Sequence, residues 1–162
     1  MNDVSRKELG SDYPLVWTNT SIRWCTSPCD TRNSQDNCSS CKFYCKRVPQ
    51  IDPDICIVNY YTNSGKLGLH QDKDESKSSI NQGLAFISIS IGDTAEFMFG
   101  DTRDKGKATK IDLESGDVLI LGGESRLLFH GISHVKTNTT PTWLKEATGL
   151  RPGRINLTFR QY

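Results

Sequence analysis

The chain has 162 residues, 35% of them hydrophobic and 24% charged, with a formal net charge of +1 and a mean hydropathy of −0.52. That length suits one domain with one sizeable core, and near-neutral charge excludes a partner recognised by bulk electrostatics, so a nucleic acid would have to be held by a local basic patch. No apolar run approaches a membrane span and the first residues carry no signal-peptide core, so a soluble intracellular protein with no membrane partner and with reduced thiols is expected, in nucleus, cytoplasm or an organelle.

Residues 1–50 show no sustained period of 2 or 3.6 and are rich in turn-favouring Ser, Asn, Asp and Thr. All six cysteines fall within the first 56 residues: Cys25, Cys29, Cys38, Cys41, Cys45 and Cys56. The spacings Cys25-x3-Cys29, Cys38-x2-Cys41 and Cys41-x3-Cys45 can ligate zinc, but they match no standard finger. The expectation is an irregular, Cys-rich segment over 1–50, with a zinc-held appendage or disulfides as the competing readings, followed by a folded core over 51–162.

The core opens on a dense β-forming run, residues 55–61, in which Asn59 and Tyr61 share a face with Ile57. A turn at 62–65 predicts a hairpin with a second strand over 66–70. Residues 74–82 are polar and Ser-rich and predict a flexible loop. Strands follow at 84–91, where Phe86 onward alternates apolar with small polar, and at 95–99. After a turn-rich loop over 100–109, strands are expected at 111–113, 117–121 and 126–130, the last ending at Gly131. One short helix is expected near 140–149, capped by Thr140, with Pro141 in its first turn and Gly149 at its end. The final strand, 154–160, alternates completely: Ile155, Leu157 and Phe159 on one face, Arg154, Asn156, Thr158 and Arg160 on the other. Many short strands with almost no helix predict an all-β fold, best matched by a double-sheet jelly roll.

Chemistry concentrates after the second strand, in His70-Gln71-Asp72. At a two-residue period His70 and Asp72 point to the same side, and an imidazole with a carboxylate can share one metal. Two histidines plus one carboxylate form the open site of non-haem Fe(II) oxygenases, and the second histidine must be His130 or His134. Arg154 and Arg160 are costly to bury without anions, and a guanidinium is the side chain best shaped to grip a carboxylate. Asn59, Tyr61 and Asn156 are neutral groups able to complete such a pocket. A polar strand edge lying in water explains the same arginine pattern.

Four motifs in order resemble the AlkB family of alkylation-repair dioxygenases, most closely its plant members. They are Asn59-Tyr60-Tyr61; Leu67-Gly68-Leu69-His70-Gln71-Asp72-Lys73-Asp74-Glu75; Gly122-Gly123-Glu124-Ser125-Arg126 with His130-Gly131; and Arg154-Ile155-Asn156-Leu157-Thr158-Phe159-Arg160-Gln161. The resemblance spans residues 54–162 and implies a double-stranded β-helix, a form of jelly roll. It implies Fe(II), 2-oxoglutarate and O2 as cofactor and co-substrates, with His70, Asp72 and His130 as iron ligands and hence as the catalytic set. By the same likeness Arg154 pairs with the far carboxylate of 2-oxoglutarate, Arg160 contacts the carboxylate beside the iron, and Asn59, Tyr61 and Asn156 line that site. Asp74 and Glu75 match an acidic pair that lies near the methylated base, whereas His134 matches no ligand. The implied activity is oxidative demethylation of N-methylated bases in DNA or RNA with release of formaldehyde, on a single-stranded or flipped base. Residues 1–50 do not match the family's nucleotide-recognition lid. A dioxygenase acting on a protein or small molecule, or a weakly active binding protein, therefore stands as the alternative.

Overall fold

The computed structural model describes residues 51–162 and, of residues 1–50, only the strand Val16–Thr18. The expectation of an irregular or zinc-held segment over 1–50 otherwise lies outside the described residues. Of the cysteines only Cys56 is described; its thiol is free and exposed.

In chain order the elements are β1 (Val16–Thr18), β2 (Ile55–Tyr61), β3 (Leu67–His70), α1 (Lys77–Asn81), β4 (Phe86–Gly92), β5 (Ala95–Gly100), β6 (Thr109–Leu113), β7 (Val118–Leu121), β8 (Phe129–Val135), α2 (Thr142–Thr148) and β9 (Arg154–Arg160). They form a five-stranded sheet, ordered β1-β7-β4-β9-β2, and a four-stranded sheet, ordered β3-β8-β5-β6. Every strand pairing is antiparallel. This is the jelly roll that the run of short strands predicts.

Four local expectations are corrected. The turn after β2 does not close a hairpin: β2 pairs with β9, whereas β3 crosses to the other sheet and pairs with β8. The segment at 74–82 is not merely a loop, because Ser76 Oγ accepts from Ser79 N at 3.0 Å and caps α1; serines that read as turn formers are equally good N-caps. The strand expected at 126–130 begins later, at Phe129, and runs on past Gly131 to Val135; residues 123–127 form a 3-10 turn instead. Thr140 does not cap α2. Its Oγ1 donates to Asp93 Oδ1 at 2.6 Å. Gly149 ends that helix as expected, in the left-handed region at φ 62°.

The hydrophobic core lies between the sheets around Phe86, Phe97, Phe99, Leu113, Leu119, Leu121 and Ile132. The inner face of the larger sheet is divided. At β7 it is apolar, with Leu119 and Leu121 buried; at β4, past Phe86, and at β9 it is polar, with Ser88, Ser90, Arg154, Asn156, Thr158 and Arg160 all buried. Register carries this polar stripe across three strands: Tyr61 and Gly92 flank Arg154, Asn59 and Ser90 flank Asn156, and Ser88 lies opposite Thr158. The isoleucines of β4 and the apolar set of β9 face the other way and are only half-buried. The edge-in-water reading of the β9 arginines is thus excluded, since their face is the inside of the molecule.

A buried carboxylate fixes the start of β9. Asp93 is 1% exposed. Its Oδ1 accepts from Thr139 N, Thr140 N and Thr140 Oγ1, and its Oδ2 from Gly153 N. Losing those bonds would leave several buried donors unpaired, at about 1–3 kcal/mol each. The network ties the connection around α2 to the entry of the strand that carries both arginines.

Candidate active site

His70 ends β3 and His130 lies near the start of β8, and the two residues are direct cross-strand partners. An extra residue on β3 between Leu67 and His70 shifts the register there, and such bulges re-aim side chains. The ring centroids lie 4.6 Å apart. Asp72, two residues past His70, completes the group: Oδ1 is 3.3 Å from His70 Nε2 and Oδ2 is 3.6 Å from His130 Nε2. One ligand atom from each of the three lies within 4.8 Å of the others, a spacing a single metal ion can bridge. His134, the other histidine available, sits apart on β8, exposed, with Nδ1 3.8 Å from Glu96.

The outer nitrogens settle the tautomers. His70 Nδ1 lies 2.9 Å from Gly68 O and His130 Nδ1 3.0 Å from Leu128 O. A carbonyl only accepts, so each Nδ1 carries a proton; in the neutral imidazole each Nε2 then offers its lone pair to a metal, and in the protonated, metal-free form each Nε2 donates to Asp72 instead. Burial alone would raise the Asp72 carboxyl, but the hydrogen bonds from His130 and His70 and the Arg160 cation outweigh it and hold the group well below the usual carboxylate range. His70 is pushed above its ordinary value by its hydrogen bond to Asp72, with burial opposing.

Beside the triad lies a pocket lined by Asn59, Tyr61, His70, His130, Arg154, Asn156 and Arg160. Arg154 is 2% exposed. Its Nη2 donates to Ser90 Oγ at 3.0 Å, its Nε has no hydrogen-bond partner among the described residues, and its guanidinium carbon lies 5.5 Å over the Tyr61 ring. No carboxylate among the described residues pairs with it. Burial pushes Arg154 down to about 10, with Tyr61 opposing, so it stays charged near neutral pH. Arg160 donates from Nη2 to Asp72 Oδ2 at 2.5 Å, whereas its Nε and Nη1 are buried without a hydrogen-bond partner. Asn156 donates to Ser88 Oγ at 2.5 Å and accepts from Thr158 Oγ1. Burial raises the Tyr61 phenol, Arg154 opposing, which keeps it a neutral O–H donor.

These groups fit an anionic chelator beside a metal. Two buried guanidinium groups with unmet N–H donors ask for carboxylate oxygens, and a neutral phenol and amides surround them. The expected cofactor residues therefore meet in one pocket. The acidic pair does not act as one unit: Asp74 is exposed, but Glu75 is buried, its Oε1 2.6 Å from Arg126 Nη2 and 3.7 Å from Arg160 Nη1. Glu75 is drawn inward because two buried cations need a counter-charge, so it does not lie open to a base. Arg126, read as the first residue of a strand, was missed as part of the site; its sequence signal is its place at the end of the Gly122-Gly123-Glu124-Ser125-Arg126 motif, four residues before His130.

The sequence model of the 2OG-Fe(II) oxygenase superfamily matches residues 6–160. The chain is 59% identical over 115 residues to DNA N(6)-methyladenine demethylase ALKBH1C of Arabidopsis thaliana, covering 71% of this chain and 25% of the relative. It is 40% identical over 113 residues to the alpha-ketoglutarate-dependent dioxygenase AlkB of Escherichia coli, covering 70% of this chain and 47% of that protein. The solved structure of OsALKBH1 superposes with a TM-score of 0.70 at 64% identity, covering 70% of this chain and 52% of that one. The chain thus spans from a quarter to about half the length of these relatives. With the metal-spaced triad and the buried arginines on one jelly roll, these likenesses settle the family: the chain belongs to the 2OG-Fe(II) oxygenase superfamily and, within it, to the AlkB family.

Proposed function

We propose that this chain carries an Fe(II)- and 2-oxoglutarate-dependent dioxygenase site that removes N-methyl groups from bases of DNA or RNA. The observation that carries the reading is Arg154, a buried guanidinium without a carboxylate partner among the described residues, in one pocket with His70 and His130. His70, Asp72 and His130 would hold the metal through two Nε2 atoms and a carboxylate oxygen. Arg154 would grip the far carboxylate of 2-oxoglutarate, with Asn59, Tyr61 and Asn156 as neutral neighbours. Arg160 orients Asp72 and would turn its remaining donors to the near carboxylate.

When bound, iron, 2-oxoglutarate and O2 supply the oxidation: the co-substrate loses CO2 and becomes succinate, and the methyl carbon is hydroxylated and leaves as formaldehyde. The protein's part is to bind, orient and keep charges in place. The pocket is lined from both sheets, so a base would have to be flipped out or already unpaired to reach it. Exposed Asp74, on the loop just past the ligands, would meet that base. Such a substrate places the protein in the nucleus, the cytoplasm or an organelle; no helix among the described residues is long and apolar enough to cross a membrane.

Mass spectrometry tests the reading. Single-stranded oligonucleotides carrying N6-methyladenine or other N-methylated bases, incubated with protein, Fe(II) and 2-oxoglutarate, should lose the methyl mass in step with succinate formation. Retention of the methyl group on every base tested, with metal and 2-oxoglutarate bound, would refute the nucleic-acid substrate.

A further inference from the structure

Arg126 is 3% exposed and lies in the 3-10 turn just before the strand that carries His130. Its guanidinium reaches three segments. Nε donates to Leu84 O at 2.9 Å, at the approach to β4. Nη1 donates to the main-chain carbonyl of Asp72 at 2.8 Å. Nη2 meets Glu75 Oε1 at 2.6 Å. The same Glu75 oxygen lies 3.7 Å from Arg160 Nη1, and Arg160 in turn holds Asp72 Oδ2. Both guanidinium carbons lie over the Phe86 ring, at 5.4 Å for Arg126 and 5.9 Å for Arg160, and that ring is 5.4 Å from the His130 imidazole.

Past β3 the chain is held by few contacts: the Gln71 side-chain amide donates to Leu127 O, and Arg160 holds the Asp72 carboxylate. Asp72 follows the last β3 residue by two positions, in irregular backbone. Arg160 holds one oxygen of its carboxylate, and the aim of that carboxylate between the two histidines depends as well on where its main chain is held. The side chain that holds the Asp72 carbonyl is Arg126, and only arginine has a planar fork able to reach three acceptors at once.

We infer that the Arg126–Glu75 pair is a positioning element for the metal site. Arg126 fixes the backbone of Asp72, and Glu75 fixes Arg126 and Arg160, so that the Asp72 carboxylate faces His70 and His130. Glu75 acts here as a buried counter-charge, not as a contact for the substrate base. The inference rests on the reading of His70, Asp72 and His130 as metal ligands.

Mn(II), which is not oxidised during the measurement, is the probe; free Mn(II) is counted by electron paramagnetic resonance during titration of the full chain. Arg126→Met should weaken Mn(II) binding about 10–100-fold, the range typical for partners that orient metal ligands. Arg126→Lys should give a smaller loss, since an ammonium replaces the charge but not the fork. Glu75→Gln should weaken Mn(II) several-fold, whereas a base-contacting Glu75 would change only the KM for the oligonucleotide. Leu113→Val, in the core away from the site, lowers the melting temperature without touching any ligand and should leave Mn(II) affinity unchanged, which separates positioning from general loss of stability. A folded Arg126→Met that binds Mn(II) as the parent does would overturn the inference. If Arg126→Met does not fold, parent-like Mn(II) affinity in Glu75→Gln overturns it instead. A parent chain that binds no Mn(II) would overturn the metal-site reading itself, and this inference with it.

Discussion

On the proposed reading co-substrate binding turns on Arg154, a buried cation without a carboxylate partner among the described residues, whose burial costs the fold unless a ligand supplies the counter-charge. Replacing it by an apolar side chain of similar length removes that cost. Arg154→Met should hold or raise the melting temperature without 2-oxoglutarate and weaken 2-oxoglutarate binding by about 1.5–3 kcal/mol, the size of a charged hydrogen bond. Calorimetry on the two proteins checks both halves; an unchanged 2-oxoglutarate affinity would mean the anion sits elsewhere. Asp72→Ala, by contrast, should abolish turnover, since it deletes a ligand. The pH dependence of metal binding follows from His70. An imidazole must be neutral to ligate, and His70 is raised above its ordinary value of 6.5, chiefly by Asp72. Protons therefore compete for it at higher pH than for a free imidazole. Mn(II) affinity should fall as pH drops, beginning above the ordinary imidazole range, while Asp72 stays ionised throughout. The His70 and Asp72 pairing was legible from spacing alone. The choice of His130 over His134 was not, because it depends on a cross-strand register that no local pattern reveals; the family resemblance supplied it. The burial of Glu75 was illegible for a related reason: it turns inward to Arg126, more than fifty positions along the chain.

At the scale of elements, alternation in β9 and β4 correctly sorted the residues into two faces and gave no indication of which face lies inside. The usual expectation puts the isoleucines inward. Here the polar faces line the pocket, and the register of β2, β9 and β4 turns isolated polar residues into one continuous wall. β3 was expected as a strand and is one, but its partner was not legible: a short turn favours a hairpin locally, whereas the bulged pairing of β3 with β8 is what brings the histidines together. That pairing requires close backbone approach at Gly131, where a Cβ would lie 2.5 Å from Leu67 O and 2.9 Å from the Gly68 carbonyl carbon. Gly131→Ala should therefore destabilise by about 1–3 kcal/mol, as overpacking against an unyielding backbone does. Because the displaced strand carries His70, Mn(II) affinity should fall as well, by more than tenfold. Chemical denaturation and metal titration read the two effects separately; normal stability with normal metal affinity would show that the strands can part here without consequence.

Taken whole, the molecule divides its interior by chemistry. Apolar side chains fill the space beside β5, β6 and β7, and polar and charged ones fill the mouth where β3 and β8 face β2 and β9. The jelly roll was legible from many short strands separated by turns, and the site from motifs that fall at strand ends, where the topology gathers residues distant in sequence. What composition could not reveal is that the arginines are inside, because burial of a charge depends on partners that hydropathy does not register, as Asp72 and Glu75 are for Arg160. On the proposed reading the pocket holds 2-oxoglutarate jointly by a metal on His70, Asp72 and His130 and by Arg154. Calorimetric titration of 2-oxoglutarate into the full chain, with and without Mn(II), tests it most directly. The expected result is one equivalent bound per chain, much more tightly with Mn(II) than without, and binding that weakens when either Asp72 or Arg154 is replaced. No binding, or binding indifferent to both the metal and Arg154, would contradict the account.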